Sequence, residues 1–224
     1  MFLPPFQGPQ PYPVAREMNL EDIEKARKEI VKSAELAMEA GFDGVELHGA
    51  NGYLLEQFMN PMANKRTDAY GATPEGRMKF VLEVAESVTK AIGGDRVGLR
   101  VSPYGVFNDM GIFDGIDNFY ATLAKKLSDI GLTYIHVADL TGQVSPEVKR
   151  LIRENFKQTY ILSGGYEINR AESDLAEKKG DLVAFGRPFI ANPDVVDKLK
   201  NGGAMKEGDP SKFYTPGPDG YTIV

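Results

Sequence analysis

Residues 160–166, Tyr160-Ile161-Leu162-Ser163-Gly164-Gly165-Tyr166, and residues 182–188, Leu182-Val183-Ala184-Phe185-Gly186-Arg187-Pro188, decide the fold of this chain. Each is a short apolar strand that runs straight into glycine. Glycines let backbone N–H groups approach an anion, and Arg187 adds a fixed positive charge with a bidentate fork. Gly164, Gly165 and Gly186 could be plain turn glycines, and only their pairing with Arg187 at successive strand ends lifts them above that.

Working back from these strands, the chain alternates helices with strands. Asn19 can cap a helix whose apolar positions Ile23, Ala26, Ile30, Ala34 and Ala37 share one face, with Gly41 as the stop and a strand at Gly44–His48. Thr73-Pro74 opens a helix carrying Phe80, Val81, Val84, Val88 and Ile92 before a strand at Val97–Val101. Ile116, Tyr120, Leu123, Leu127 and Ile130 mark the next helix, Gly131 ends it, and Tyr134–Val137 is the strand. Ser145-Pro146 opens the helix before Tyr160–Ser163, and Ala171 and Leu175 mark a short one before Leu182–Phe185. Five strands of near-continuous apolar character, each preceded by an amphipathic helix, predict parallel α/β architecture. Every polar or Gly-rich cluster lies at a strand's C-terminal end, and the loops after the last two strands of a TIM barrel commonly form a phosphate site. We therefore expect an α/β fold, a partial TIM (β/α)8-type barrel of about five parallel strands. No Gly-x-Gly-x-x-Gly follows a strand, which disfavours a Rossmann site. Residues 1–18 carry Pro4, Pro5, Pro9, Pro11 and Pro13 and read as an extended arm or lid, 19–205 as the barrel portion, and 206–224 as a tail packing on it.

With 224 residues, 42% of them hydrophobic, one sizeable core is the expectation. The formal charge is −6 and the basic residues form no run, so nucleic acid is not an expected partner. There is no cysteine, which removes disulfides, thiolate nucleophiles and Cys-ligated metal, and suits a reducing cytoplasm. The Pro-broken N-terminus carries no basic region and no apolar run approaches membrane-spanning length, so we expect a cytoplasmic protein with no membrane partner. Asp43, Glu46, Asp109 and Asp114 show no metal-ligand spacing, and no metal site is expected.

The chemistry concentrates in Gly44-Val-Glu-Leu-His48-Gly-Ala-Asn51-Gly-Tyr53, where a strand ends in three polar side chains amid small residues. A lone strand-end histidine is more often structural than catalytic, and His48 gains weight only from Asn51 and Tyr53 beside it. His136 reads as structural. Arg100 has an alternative use as the partner of a core carboxylate such as Glu46.

The string Gly41-Phe-Asp-Gly-Val-Glu-Leu-His48-Gly-Ala-Asn51-Gly-Tyr53-Leu-Leu-Glu-Gln57-Phe, followed by Asn64-Lys-Arg66-Thr67-Asp68-Ala-Tyr70-Gly71, resembles the old yellow enzyme family of flavin-dependent ene-reductases. Arg96-Val-Gly-Leu-Arg100-Val-Ser-Pro103, Tyr134-Ile-His136, Gly164-Gly165-Tyr166, residues 181–194, Phe213-Tyr214 and Gly220-Tyr221-Thr222 continue the resemblance in order. It implies that His48 and Asn51 bind a substrate carbonyl oxygen and that Tyr53 donates a proton to the α-carbon. It implies further that Arg100 lies beside the flavin ring, that Gly164, Gly165, Gly186 and Arg187 hold the FMN phosphate, and that Tyr214 is an aromatic near the substrate. Two donors polarise an enone oxygen, reduced flavin gives hydride to the β-carbon, and a phenol, ordinarily neutral at pH 7, supplies the proton. FMN is the implied cofactor and NADH or NADPH the reductant.

Against the family's eight strands this chain is expected to supply strands four to eight, keeping the phosphate half of the flavin site without the strands that hold much of the ring. Residues 72 and 76, Ala and Gly, and the ending Gly-Tyr-Thr-Ile-Val depart from the family pattern. An open parallel sheet leaves unpaired edges and an uncovered face, so closure by a second copy or by a complementing N-terminal half is expected. Two other functions compete: a truncated, non-catalytic relative serving as an interaction or regulatory fragment, and a barrel enzyme using the phosphate loops for a sugar phosphate with His48 as base.

Overall fold

The computed structural model describes residues 15–140, 142–213 and 217–218. Most of the expected N-terminal arm, and Tyr214 in the tail, lie outside the described residues.

Helix boundaries follow local chemistry. In α1 (Leu20–Glu39) the Asn19 side chain accepts the Asp22 N–H while the Asp22 carboxylate accepts the Asn19 N–H, a reciprocal cap. Thr73 caps α3 (Pro74–Ile92) and Ser145 caps α5 (Pro146–Asn155), each followed by a proline that has no N–H to leave unpaired. α4 (Ile116–Ile130) stops where Gly131 takes the left-handed conformation. The shorter α6 (Ile168–Ala176) follows in sequence.

The strands β1 (Val45–Gly49), β2 (Val97–Val101), β3 (Tyr134–Ala138), β4 (Thr159–Ser163) and β5 (Leu182–Ala184) form one sheet in sequential order, every pairing parallel. Within the described residues β1 and β5 each pair on one side only, so the sheet is a partial barrel. The sequence predicts strands of near-continuous apolar character; the structure shows two unlike faces. Leu47, Val97, Leu99, Val101, Ile135, Val137, Tyr160 and Leu162 are buried on one face, in the core shared with Phe80, Val84, Leu123, Leu127 and Ile152 of the helices. The other face carries Glu46, His48, Arg100, Tyr134, His136 and Ser163, and remains partly open. Each buried aliphatic side chain contributes about 1.5–3 kcal/mol, so the helix-covered face supplies the stability and leaves the polar face free for chemistry.

Three short helices escape the sequence periodicity: α2 (Leu54–Met59), α7 (Arg187–Ala191) and α8 (Val195–Asn201). The Arg66 guanidinium, on the loop after α2, donates to the Met18 carbonyl and pairs with Glu17, tying the start of the described chain to this loop. Among the described residues no helix is long and apolar enough to cross a membrane.

Candidate active site

The polar face is organised by strand register. His48 on β1 is the register partner of Arg100 on β2, and Arg100 of His136 on β3. Gly98 has no side chain on this face, and the Tyr134 ring takes up the space its Cβ would need. Burial, then the neighbouring Glu46 carboxylate, push the Tyr134 phenol up to about 12. His136 lies between Glu46, 2.9 Å from Nδ1, and Ser163, 3.0 Å from Nε2, which agrees with its structural reading. Burial would raise the Glu46 pKa, but hydrogen bonds from His136 and Tyr134, with the electrostatic pull of His136 and Arg100, together hold this carboxyl below the usual range. The alternative pairing of Arg100 with Glu46 does not form: Glu46 goes to His136, and Arg100 Nε is buried without a hydrogen-bond partner among the described residues.

Beyond β1 the chain makes a turn that no helix or sheet ladder supports. Asn51 and Gly52 are both left-handed, with φ of 58° and 72°. Glycine is required at the second position, because a Cβ there would collide with Asn108 and the Phe107 carbonyl. All four backbone polar groups of the turn are held by side chains. Asn51 N–H donates to Ser102 Oγ at 2.8 Å and Gly52 N–H to Glu56 Oε2 at 2.6 Å. Asn108 Nδ2 donates to the Asn51 carbonyl at 2.9 Å, and Gln57 Nε2 to the Gly52 carbonyl at 2.7 Å. The turn sets Tyr53 at the cap of α2 with its ring 5.3 Å from the His48 ring and 53% of the residue exposed. His48, Asn51 and Tyr53 are therefore brought together at one strand end.

Partial burial and then the Arg100 charge lower the His48 pKa, with Glu46 opposing. An imidazole held neutral keeps one N–H to donate. The Asn51 backbone is occupied by the turn, while its side chain forms no hydrogen bond among the described residues.

The glycine loops stand at the same end of the sheet. Gly164 follows β4 with φ of 109°, against the Asp139 carbonyl that a Cβ would strike. Asp139 is buried and accepts Lys149 Nζ at 2.7 Å, which fixes the wall behind the loop. Open space lies where a Cβ on Gly165 or Gly186 would stand. Arg187, the first residue of α7, is exposed and forms no ion pair among the described residues.

The turn's supporting side chains were not foreseen. Glu56 had one legible signal: it is the third residue of a helix capped by Tyr53, the position from which an acid reaches back to backbone N–H groups. Ser102 and Asn108 are distant in sequence and gave none.

Comparison with known proteins gives this arrangement relatives. The chain is 38% identical over 214 residues to 12-oxophytodienoate reductase 2 of Arabidopsis thaliana, covering 92% of this chain and 57% of that protein. It is 37% identical over 217 residues to a probable flavin mononucleotide-dependent alkene reductase of Leishmania infantum, covering 95% and 58%. The solved structure of morphinone reductase superimposes with a TM-score of 0.91 at 36% identity, covering 96% of this chain and 59% of that one. An old yellow enzyme homologue from Zymomonas mobilis gives 0.91 at 33% identity, covering 97% and 62%. The chain thus spans less than two thirds of the length of each of these relatives. A family model described as NADH:flavin oxidoreductase / NADH oxidase matches residues 6–206. Matched over most of its length by that model, the chain belongs to the NADH:flavin oxidoreductase / NADH oxidase family, the old yellow enzymes.

Proposed function

We propose that this chain acts as an FMN-dependent NAD(P)H oxidoreductase that reduces the C=C bond of α,β-unsaturated carbonyl compounds. The observation that carries this reading is the gathering of His48, Asn51 and Tyr53 beside Arg100, at the sheet end that also bears Gly164, Gly165, Gly186 and Arg187. The names of the Arabidopsis and Leishmania relatives, a 12-oxophytodienoate reductase and an FMN-dependent alkene reductase, are in keeping with it.

The residues present fit FMN on two counts. The Arg100 Nε–H, buried and without a partner among the described residues, is a donor in need of an acceptor. The open space at Gly165 and Gly186, with an Arg187 fork that forms no ion pair among the described residues, suits a phosphate. Gly164, Gly165, Gly186 and Arg187 would hold the phosphate, and Arg100 would face the ring.

FMN held there, once reduced by NADH or NADPH, would supply hydride for the substrate β-carbon. The imidazole N–H of His48 and the amide of Asn51 donate to the substrate carbonyl oxygen and stabilise the negative charge that develops there. Arg100, beside His48, adds a positive charge to the same region. Tyr53 O–H delivers the proton to the α-carbon, and its exposure lets solvent restore it. The Asn51–Gly52 turn holds clamp and proton donor in one frame.

The polar face and the free edges of β1 and β5 favour completion of the barrel by a second copy or by a separate N-terminal half. Flavin spectra with oligomeric state test both parts of the proposal. A yellow protein, bleached anaerobically by NADH or NADPH and restored by 2-cyclohexenone, is the expected result. Colourless protein that FMN does not stabilise would sink the reading and favour a non-catalytic relative.

A further inference from the structure

We infer that Glu56 is a positioning residue of the active site: its carboxylate holds the Asn51–Gly52 turn and thereby sets where the Asn51 amide and the Tyr53 phenol stand. The kinetic arm of this inference rests on the proposed enone reduction; the structural arm does not.

Glu56 is 2% exposed, an unusual place for an acid that has no cationic partner among the described residues. Its two oxygens serve the turn separately. Oε2 accepts the Gly52 N–H directly at 2.6 Å. Oε1 accepts the Ser102 hydroxyl at 2.7 Å, and Ser102 Oγ in turn accepts the Asn51 N–H at 2.8 Å. One carboxylate therefore satisfies two consecutive N–H groups, one of them through a relay anchored just past β2. Because the turn has no ladder of its own, loss of the Glu56 carboxylate leaves the sheltered Gly52 N–H unpaired and releases the Ser102 hydroxyl that holds the Asn51 N–H, so that two left-handed residues keep only the Asn108 and Gln57 contacts to their carbonyls as fixed anchors.

Burial opposes the charge that this arrangement uses, and it raises the Glu56 pKa to about 7 in spite of the Gly52 and Ser102 hydrogen bonds. The titratable neighbour facing it is Tyr120 of α4, a buried phenol pushed well above its ordinary pKa by burial and by Glu56 itself. Gly52 and Ser102 do not titrate. Protonation of Glu56 turns one acceptor oxygen into a donor; the Gly52 N–H can only donate, so the proton falls on the oxygen facing Ser102 and it is the Ser102 bond that reverses. The turn is thus tied to a carboxyl that changes charge near neutral pH.

The test compares wild type with Glu56→Gln and Glu56→Ala by NMR of the purified chain, which needs no flavin. Glu56→Gln can still accept from Gly52 but its amide nitrogen cannot accept from Ser102. The expected result is a displaced Asn51 amide signal in Glu56→Gln. In Glu56→Ala we expect displaced Asn51 and Gly52 amides and loss of the nuclear Overhauser contact between the His48 and Tyr53 rings. Core signals of Leu99 and Val101 should stay in place in both variants. The wild-type Gly52 amide should follow a titration that Glu56→Gln lacks. In enone reduction a turn displaced by about 1 Å costs roughly a hundredfold in kcat, and the wild-type rate should show a rise with Glu56 ionisation that Glu56→Gln lacks, any His48 dependence being common to both. A folded variant, either one, that keeps the wild-type Asn51 and Gly52 amides and the His48–Tyr53 contact overturns the inference. A chain that takes up no FMN and reduces no enone defeats the ene-reductase proposal instead, and the NMR comparison still decides the role of Glu56.

Discussion

Arg100 is the parallel-register neighbour of His48, and its charge, second to burial, holds the His48 imidazole below its ordinary pKa. Replacing it with methionine should raise the His48 pKa. The chain has two histidines, His48 and His136, so two imidazole titrations followed by NMR are readily separated. Because the folded pKa lies below the unfolded one, His48 costs stability as pH falls through that lowered value, and Arg100→Met should lessen the loss. An unchanged His48 titration would mean that burial alone sets it.

Arg187 gives a test of the proposed phosphate site that is separate from chemistry. A charge-assisted hydrogen bond is worth about 1.5–3 kcal/mol, so Arg187→Ala should weaken FMN binding by roughly ten- to a hundredfold. Riboflavin, which lacks the phosphate, should bind the variant and the wild type alike. Fluorescence titration with both flavins checks this. Equal losses for the two ligands would move Arg187 away from the phosphate.

Tyr53 should separate rate from stability. It is more than half exposed at the cap of α2, so Tyr53→Phe should change thermal stability by less than about 0.5 kcal/mol. As proton donor its loss should lower the enone-dependent oxidation rate by about 10²–10⁴-fold, leaving reduction by NADH or NADPH intact. Stopped-flow measurement of the two half-reactions distinguishes them. A variant equally slow in both would make Tyr53 a general structural prop.

Gly164 should be intolerant where Gly165 is tolerant. Its φ of 109° and the Asp139 carbonyl leave no place for a Cβ, so Gly164→Ala should cost about 2 kcal/mol or more. For a chain of this size that is a fall in melting temperature of about 4–8 °C. At Gly165, open in space with φ of 59°, alanine should cost about 1 kcal/mol. Thermal denaturation of both variants measures the contrast.

The sequence carried what is local. Caps at Asn19, Thr73 and Ser145, the Gly131 stop and the glycines after β4 act within a few residues, and the barrel portion follows from them. The helix α2 spans six residues, too few for a helical period to declare itself, and α7 is shorter still. Resemblance to the family pointed to His48, Asn51 and Tyr53 as a set, and the structure places them at one strand end. Of what holds them only the helix position of Glu56 was legible; its burial was not, because the groups that face it are Ser102, 46 residues away in sequence, and Tyr120 on another helix. Next to Gln57 in a Leu-Leu-Glu-Gln run, an acid reads as a solvent-facing residue. Likewise Arg100 and Glu46 suggested an ion pair by charge alone, whereas register and the Gly98 gap gave Glu46 to His136 and Tyr134.

The buried carboxyl also has a signature in stability. Glu56 titrates at about 7 in the folded chain and, in the unfolded one, near the ordinary glutamate value of about 4.3. A raised folded pKa means that the native state holds the proton more tightly. The stabilisation is therefore complete below the unfolded value and is lost as pH rises through the folded one, a change on the order of 3 kcal/mol. Glu56→Gln has no such proton to lose. Between about pH 5 and about pH 8 the melting temperature of the wild type should accordingly fall relative to that of Glu56→Gln, by about 6–12 °C for a chain of this size. The opposing contribution of His48 is present in both proteins and cancels in the difference. Paired thermal scans across that interval measure it directly. A gap independent of pH would show that Glu56 is already ionised at pH 5, and that the hydrogen bonds from Gly52 and Ser102 outweigh its burial.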